Sequence, residues 1–596
     1  MHDQKFKLST EKGAMMRNIE STTQHKAGLL IYLISLIILS FLLSFFLFIN
    51  YQLYFPFPFW DGVPAWLFIS QDYSNYYEFL KGALQFVDNE HKPIIPLGLM
   101  KLDYIIFSGP GYFIFTINIL IIICISAFLA SGSDVYYRSM KIKLISFLAT
   151  LILLTSPMHF ENILWWKQLH VYLSLFFSFS CIFILSSSMR IKSNIRVILA
   201  LIIGFLSSFC FGYGLAIIPI IGFYILTRQK SLLYFCLWLF AVFVIFILYN
   251  ENNLWQILQG REKTANTIGK NLAANLFSIY SYSSHLLVMP ISYAEYVLTN
   301  KISIFSTVFG SFVIFIGIYG TIYFTLVENR SSNIYLYGLQ FAIICAFMTA
   351  VTRHEMNLPL ASRYFIITCI ALICSVNLLI YFLQQIFEKQ GSFVRLHYAV
   401  SFTLVALAIV TSYTGIPAMS KNYERVQRGG LTAELGQSGD FDLLLPATSG
   451  KIDDVFWPRF IGHSKRKGRL LAFGRTGETI SESFPEGFSS CSGGLTLTAQ
   501  VRLSPRMIEF NGSLIGDWGK TPENILVADS SGVLLGIGSF SPVITKYLSP
   551  KAPEILIYYL YEDDFGASQN LHGEVGLEFF AFSNDSICKL LVQNDI

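Results

Sequence analysis

The sequence predicts an α-helical polytopic membrane protein with a β-rich domain at its C-terminal end. The chain contains 54% hydrophobic and only 13% charged residues, whereas soluble domains carry about 25% charged residues. Charged residues are scarcest between positions 28 and 416, where apolar runs long enough to cross a bilayer recur. From about Lys421 onward, glycine, serine and aspartate separate short alternating runs, a pattern typical of strands.

The first 27 residues are polar, and basic side chains precede the first apolar run: Lys5, Lys7, Lys12, Arg17 and Lys26. This pattern predicts a cytoplasmic tail over residues 1–27 and a signal anchor after it, rather than a cleaved signal peptide. The formal net charge of +4 is too small to indicate a nucleic acid partner.

Apolar runs predict about eleven transmembrane helices within a domain that spans residues 28–416. We place these spans at residues 28–50, 112–131, 144–157, 170–188, 197–212, 214–227, 232–249, 302–326, 333–351, 364–385 and 397–415. The loops that would then face the cytoplasm are short and basic, which is the positive-inside pattern. The residues Phe211–Gly214 either connect two spans or form the turn of one re-entrant hairpin. Both alternatives put the C-terminal region outside.

The region 417–596 predicts an extracytoplasmic β-sandwich or jelly-roll-like module. Short alternating runs occur at Leu495–Leu503, Gly532–Ile537, Glu554–Leu560 and Val575–Phe582. Cys491 and Cys588 are the cysteines of this region, and an oxidising compartment would allow a disulfide between them. The other seven cysteines lie in or beside apolar spans without metal-ligand spacing, so we expect no metal site.

Four acidic residues in the hydrophobic region fall on the same predicted outer face of the membrane: Asp61, Glu90, Glu161 and Glu355. A one-sided group of carboxylates beside lipid indicates chemistry on a lipid-linked substrate. Asp61 follows Trp60 in the first outer loop, where it could take a proton from an attacking hydroxyl as a general base. The alternative is an ordinary water-facing loop acid.

The run Glu90-His91-Lys92-Pro93 precedes an amphipathic stretch in the same outer loop. Its acid, imidazole and ammonium groups could contact an acceptor or a phosphate beside Asp61. They could equally mark a helix start, where carboxylates favour the helix dipole and proline suits the first turn.

The second outer turn, residues 161–168, contains Glu161, Trp165, Trp166 and Gln168. Carboxylate, indole and amide groups together are typical of a sugar site, because indole rings stack on pyranose faces and amides bind hydroxyl groups. An aromatic belt at the membrane interface would explain the tryptophans alone.

Arg353-His354-Glu355 and Ser362-Arg363-Tyr364 bracket the fifth outer loop. Two arginines at the mouth of a membrane protein suit a phosphate, because guanidinium binds it bidentately and stays charged. The alternative is cations that snorkel at span ends. Neither a phosphate-binding Walker loop nor a dinucleotide fingerprint is present in this region, which argues against a nucleotide-driven pump.

These motifs resemble the polytopic GT-C glycosyltransferases, and within them the bacterial serotype-converting glucosyltransferases. The resemblance rests on Trp60-Asp61, Glu90-His91-Lys92-Pro93, residues 161–168 and Ser362-Arg363-Tyr364, and it covers residues 28–416. It implies a polyprenyl-phosphate sugar donor, a polysaccharide or O-antigen acceptor, and Asp61 and Glu90 as the family's acids. It also implies that the protein lies in the inner membrane of a bacterium and works together with a donor-synthesising enzyme and a flippase.

Physical reasoning about such a donor leads to the same expectation. Its lipid tail needs a groove, its departing phosphate needs cations, and the acceptor hydroxyl needs a base. We therefore predict an inverting single displacement with Asp61 as the base, and the phosphate at Arg353, Arg363 and Lys92. His91, His354, Glu355 and Tyr364 complete the predicted substrate-binding set, and a metal is not indicated. The rival hypotheses are an O-antigen polymerase or ligase and a lipid-linked sugar flippase or transporter.

Overall fold

A computed structural model gives the fold of the chain. It describes residues 29–30, 32–54, 65, 68–69, 71, 73–86, 91–107, 112–132, 140–186, 192–258, 276–299, 304–327, 333–353, 361–387 and 390–434, and then seven strands within 489–594. Inside these ranges a few side chains, including that of Trp166, also lie outside the description.

The described chain up to residue 434 is almost entirely helical. Its helices are α1 (Tyr32–Gln52), α2 (Tyr76–Gln85), α3 (Ile94–Phe107), α4 (Tyr112–Ser131), α5 (Met140–Leu154), α6 (Phe160–Leu164), α7 (Leu169–Ser186), α8 (Ser193–Ser208), α9 (Ile217–Tyr224), α10 (Leu232–Leu258), α11 (Leu276–Leu287), α12 (Met289–Thr299), α13 (Ile304–Leu326), α14 (Ile334–Arg353), α15 (Phe365–Phe387) and α16 (Gln390–Glu434). Short 3-10 turns occupy Pro157–His159, Trp166–Gln168, Gly212–Ala216 and Ser362–Tyr364.

The described residues include eight helical segments that are long and apolar enough to cross a membrane, as predicted for a polytopic protein. They lie in α1, α4, α7, α10, α13, α14, α15 and α16. The count becomes nine if α5 and the residues Pro157–Leu164, which bend by 44°, form one span. Large apolar side chains such as Phe41, Phe240 and Phe315 are exposed on these helices, as lipid-facing residues are.

The number of spans differs from the predicted eleven at two places. The predicted span 197–212 is the 16-residue helix α8, which is shorter than a typical crossing of about 20 residues. The predicted span 214–227 is made of a 3-10 turn, the eight-residue α9 and a π-helical turn at Ile225–Gln229. The α8–α9 pair therefore forms a hairpin around the break at residues 209–216. The helix α16 also continues to Glu434, beyond the predicted domain boundary at residue 417.

Contacts between distant loops define two ends of the helix bundle. At one end, which we call the site end, the Asn50 amide donates to the Thr155 carbonyl at 2.9 Å. A Cβ built on Gly415 would lie 2.6 Å from the Met158 nitrogen, so the end of the apolar part of α16 touches the same turn. The segments around residues 91, 211, 249, 353 and 363 meet there as well, as described below.

The opposite end of the bundle carries the basic residues of the predicted cytoplasmic loops that the structure describes. The Arg228 guanidinium donates to the Phe324 carbonyl at 2.9 Å, which joins the end of α9 to the end of α13. The Lys141 ammonium lies 5.4 Å from the centre of the Tyr32 ring, at the start of α5 and α1. The connectivity thus alternates between two ends, as the sequence predicts, and the compartment that each end faces stays a prediction.

Seven strands follow in the C-terminal region: β1 (Ser489–Ser504), β2 (Met507–Ile515), β3 (Asn524–Ala528), β4 (Leu534–Phe540), β5 (Ile555–Leu560), β6 (Glu578–Ser583) and β7 (Ser586–Asn594). They pair in the closed order β1-β2-β5-β4-β3-β6-β7, in which only β1 and β7 are parallel. Cys491 and Cys588 form a disulfide across this parallel pair. The predicted sandwich or jelly-roll module over 417–596 stays a prediction, because residues 435–488 and the connections between strands lie outside the described residues.

Two glycines of α13 make a matched test of its packing. A Cβ at Gly310 would lie 2.2 Å from the Ser284 carbonyl oxygen of α11, whereas a Cβ at Gly320 would lie 3.1 Å from the Leu336 side chain. Backbone cannot move aside as a leucine methyl can, so we expect Gly310→Ala to lower the free energy of unfolding by about 1–3 kcal/mol. Thermal denaturation in detergent micelles should show little change for Gly320→Ala, and equal losses in the two variants would contradict this packing.

Candidate functional site

A cavity of about 420 Å³ lies at the site end, among loops and helix termini that are far apart in sequence. Its described lining consists of His91, Phe211, Gly212, Tyr213, Leu215, Tyr249, Met348, Thr349, Thr352, Arg353 and Tyr364. The described lining combines a guanidinium and an imidazole with aromatic rings and threonine hydroxyls. The cavity therefore suits an anionic ligand that also carries hydroxyl groups.

The break between α8 and α9 forms one wall of this cavity. The backbone leaves the helix after Ser208 and is extended at Phe211, where φ is −162° and ψ is 164°. A Cβ at Gly212 would lie 2.6 Å from the His91 ring, so the missing side chain lets the imidazole pack directly on the backbone. The helix break thus brings Phe211, Gly212 and Tyr213 against the segment that precedes α3.

The His91 imidazole is held in its neutral form at this position. Its ring meets the Phe211 ring edge-on with centroids 4.2 Å apart, and the His170 ring approaches Phe211 at 4.6 Å. Burial, followed by repulsion from Lys167 and Arg353, lowers the pKa of His91 from 6.5 to about 4. A neutral imidazole offers one donor and one acceptor to a ligand near pH 7.

Arg353 is the cation that lines the cavity, and Lys167 lies close enough to act on the same imidazole. Lys167 is only 3% exposed, and its ammonium lies 5.8 Å from the centre of the Trp165 ring. Arg353 and Lys167 therefore both act electrostatically on His91. In a partly buried site such charge acts strongly on an anion, because solvent screens it little.

Two of the predicted site residues make contacts within the protein. The buried Lys92 ammonium donates to the Leu84 carbonyl at 3.2 Å, at the C-terminal end of α2, where cations are favoured. Trp165 is 2% exposed, so in this conformation its ring packs in the core. The roles predicted for these two residues at phosphate and sugar stay predictions.

Arg363 stands behind the cavity wall rather than in it. The central carbon of its guanidinium lies 5.3 Å from the centre of the Tyr364 ring. Tyr364 lines the cavity together with Tyr213 and Thr349. Burial raises the pKa of Tyr213 well above its usual value, so this phenol keeps its proton.

Two residues of α6 bind the turn Ser362–Tyr364, which leads into α15. The Glu161 carboxylate accepts a hydrogen bond from the Arg363 main-chain N–H at 3.0 Å, and the Glu161 N–H donates to Ser362 Oγ at 3.3 Å. The Asn162 amide donates to the Arg363 carbonyl at 3.0 Å. These three bonds join loops about 200 residues apart in the chain.

The structure thus brings together several of the residues that the sequence singled out. His91, Arg353 and Tyr364 line one cavity, and Glu161 contacts Arg363 beside it. Gln168 is 4% exposed, and its side-chain oxygen has no hydrogen-bond partner among the described residues. Four predicted residues, Asp61, Glu90, His354 and Glu355, lie outside the described residues, as does the Trp166 side chain.

Sequence reasoning gave no role to several residues that line the cavity, among them Tyr213, Tyr249, Thr349 and Thr352. Tyrosine and threonine in apolar helices are common packing residues, so their type alone carries no signal. The signal that was available is the helix-breaking run Phe211-Gly212-Tyr213-Gly214. Irregular backbone at membrane depth is tolerated where it lines a cavity, and that rule points to this segment.

Comparison with protein-family models, with curated proteins and with solved structures finds no match to this chain.

The neutral state of His91 makes acid stability testable. The native pKa of about 4 lies below the usual histidine value of 6.5, so the unfolded chain binds more protons between these pH values. The stability associated with His91 is present above pH 6.5 and is lost as the pH falls towards 4, by at most about 3 kcal/mol. His91→Gln should flatten the fall of the thermal midpoint over this window and leave the midpoint at pH 7.5 nearly unchanged. An equally steep fall in both proteins would contradict the burial of a neutral His91.

Proposed function

We propose that the chain is a membrane glycosyltransferase that takes a sugar from a polyprenyl-phosphate donor and transfers it to a surface polysaccharide. The observation that carries the proposal is the cavity of about 420 Å³ at the ends of membrane-spanning helices, with Arg353 and His91 in its wall. A lipid-linked phosphate sugar has its charged and reactive parts at this depth.

The phosphate is assigned to Arg353. Its guanidinium is always charged and can bind two phosphate oxygens at once, and the neighbouring Lys167 adds to the positive potential. Because His91 is neutral, it can accept or donate a hydrogen bond without a second full charge in the cavity. The negative charge that develops on the departing phosphate as the bond to the sugar breaks is thereby stabilised.

The sugar is assigned to the rest of the lining. Tyr213, Tyr249 and Tyr364 supply aromatic surface and hydroxyl groups, and Thr349 and Thr352 supply two further hydroxyls. Such groups match the alternating apolar faces and polar edges of a pyranose. A volume of about 420 Å³ lies in the lower part of the usual range for small-ligand sites, about 300–1,000 Å³. This size favours a single sugar unit with its phosphate.

The lipid tail is assigned to the apolar surface beside the cavity. The helix α10 supplies Tyr249 to the cavity wall, and only 6% of its apolar segment is buried against other helices. Its exposed residues include Phe240, Phe243 and Phe246. A polyprenyl chain can lie against this surface while its phosphate enters the cavity.

The reaction is written as an inverting single displacement. The bond between the anomeric carbon and the phosphate oxygen breaks, and the acceptor hydroxyl oxygen forms the new bond from the opposite side of the ring. Asp61 takes the proton of that hydroxyl, and the phosphate leaves with the bonding electron pair. The described residues on both sides of Asp61 reach the bundle, since Tyr54 packs on Phe115 with centroids 4.9 Å apart and Ile69 is fully buried.

The charges at the opposite end of the bundle support an orientation of the protein in the membrane. Its described residues include Lys141, Lys143, Lys192, Arg196 and Arg228, which supports a cytoplasmic location for that end. The site end would then face outward, on the outer face of a bacterial inner membrane. The disulfide between Cys491 and Cys588 supports the same assignment, because disulfides persist in oxidising compartments.

A second candidate function is an O-antigen polymerase or ligase. Such an enzyme would depend on an arginine and a histidine of the outer loops more than on Asp61. The placement of Arg353 and His91 in one cavity favours this alternative over a flippase.

The role of Arg353 is tested with farnesyl phosphate as a short lipid-phosphate probe and farnesol as the uncharged control. Loss of a charge-assisted pair should weaken farnesyl phosphate binding roughly 10- to 150-fold in Arg353→Ala. Farnesol affinity should not change. Arg228→Ala, which removes a guanidinium at the opposite end of the bundle, should leave both affinities unchanged. Equal affinity of wild type for the two probes would refute phosphate binding.

The two candidate functions are separated by Asp61→Asn. This variant keeps the size of the side chain and removes the base, so we expect loss of one hexose-sized mass from the surface polysaccharide of the native host. Mass spectrometry of the glycan and a quantitative blot of the protein provide the measurement. Unchanged glycan in Asp61→Asn, together with loss of chain length in His91→Gln, would favour the polymerase or ligase.

A further inference from the structure

The contacts of Glu161 and Asn162 give these residues a role different from the sugar binding that the sequence predicted for Glu161. Both main-chain groups of Arg363 are engaged: its N–H by the Glu161 carboxylate and its carbonyl by the Asn162 amide. The Glu161 N–H donates in turn to Ser362 Oγ. We name these four residues, Glu161, Asn162, Ser362 and Arg363, the interloop clamp.

The clamp acts at the start of α15. The turn Ser362–Tyr364 is its first helical turn, and a carboxylate at a helix N-terminus is favoured both by the unpaired N–H groups and by the helix dipole. Asn162 is fully buried, Ser362 is 5% exposed and Glu161 is half-buried, so these bonds are partly shielded from competing water. The peptide of Arg363 therefore has little freedom to rotate.

Because the Arg363 peptide is held, the side chains of Arg363 and Tyr364 are restricted in position as well. The Arg363 guanidinium lies over the Tyr364 ring, with its central carbon 5.3 Å from the ring centre. A cation above a phenol ring polarises the ring's π electrons, so the phenol O–H becomes a stronger hydrogen-bond donor. Tyr364 is a lining residue, so the cavity is where that O–H can find an acceptor.

We propose that the interloop clamp positions Tyr364 as a hydrogen-bond donor to the phosphate oxygens of the donor lipid. This inference rests on the proposed function and deepens it. Tyr364 would touch the ligand, whereas Glu161, Asn162 and Arg363 are positioning residues that act through it. The arrangement reassigns Arg363, because its charge reaches the phosphate through the phenol and not by direct contact.

The chain offers a matched control for the clamp. Asn50 and Asn162 are both fully buried, and each donates from Nδ2 to a main-chain carbonyl, at 2.9 and 3.0 Å respectively. The Oδ1 atom of each lacks a hydrogen-bond partner among the described residues. Replacing either by alanine should therefore cost similar stability. Of the two, only Asn162 is connected to Tyr364, because it binds the main-chain carbonyl of Arg363.

The experiment compares farnesyl phosphate affinity in Asn162→Ala, Tyr364→Phe, the double variant and Asn50→Ala, all in the full chain. We expect roughly tenfold weaker binding in each of the first two. The double variant should be no weaker than Tyr364→Phe, because the clamp acts through the missing hydroxyl. Asn50→Ala should bind like wild type. Additive losses, or an equal loss in Asn50→Ala, would overturn the proposal.

Two further measurements keep the outcome clear. Ser362→Ala removes a clamp bond outside the cavity lining and should show the same coupling to Tyr364→Phe if Asn162→Ala does not fold. Hydrogen exchange of residues 361–366 needs no ligand: Asn162→Ala should speed it and Asn50→Ala should not. Equal exchange in the two variants refutes the clamp whatever the ligand. Absent binding of farnesyl phosphate by wild type refutes phosphate binding in the cavity, and with it the role of Tyr364, but leaves the clamp itself standing.

Discussion

Main-chain polar groups at the ends of membrane helices must be paired inside the protein, and the site end is organised by this constraint. Side chains from one segment bind the carbonyl groups of another wherever the chain turns. Lys101 donates to the carbonyl of Ile69, Tyr249 to that of Ser208, and Asn162 to that of Arg363. Each of these bonds joins a loop or helix end to a different helix. The bonds of Tyr249 and Asn162 therefore also fix segments that border the cavity.

Much of the membrane domain could be predicted from hydrophobic runs, because length and apolarity are properties of single segments. The helices and the alternation between two ends follow from them. The α8–α9 hairpin was only half predicted, since a run of residues around Gly212 shows that the helix breaks but not that His91 fills the gap. The cavity residues Tyr249 and Thr349 were not predicted. Their role depends on which helices meet, and a single sequence does not encode that pairing in a local pattern.

In the candidate site, residues that look equivalent in the sequence make different contacts, according to where each is buried. Three cations were assigned to phosphate from their charge: Lys92, Arg353 and Arg363. In the structure Arg353 lines the cavity, Lys92 donates to a carbonyl at a helix end, and the Arg363 guanidinium lies over the Tyr364 ring. The same positive charge therefore has three different local uses. Geometry, and not charge alone, decides which of them can bind an anion directly.

The sparse packing of α10 has a consequence for the membrane that surrounds it. A helix with few protein neighbours takes its tilt from the match between its hydrophobic length and the thickness of the bilayer. Tyr249 is carried on this helix and its hydroxyl binds the Ser208 carbonyl, so a change of tilt strains that bond and moves one wall of the cavity. Lipids with longer or shorter acyl chains would thus alter the shape of the site without touching any residue inside it.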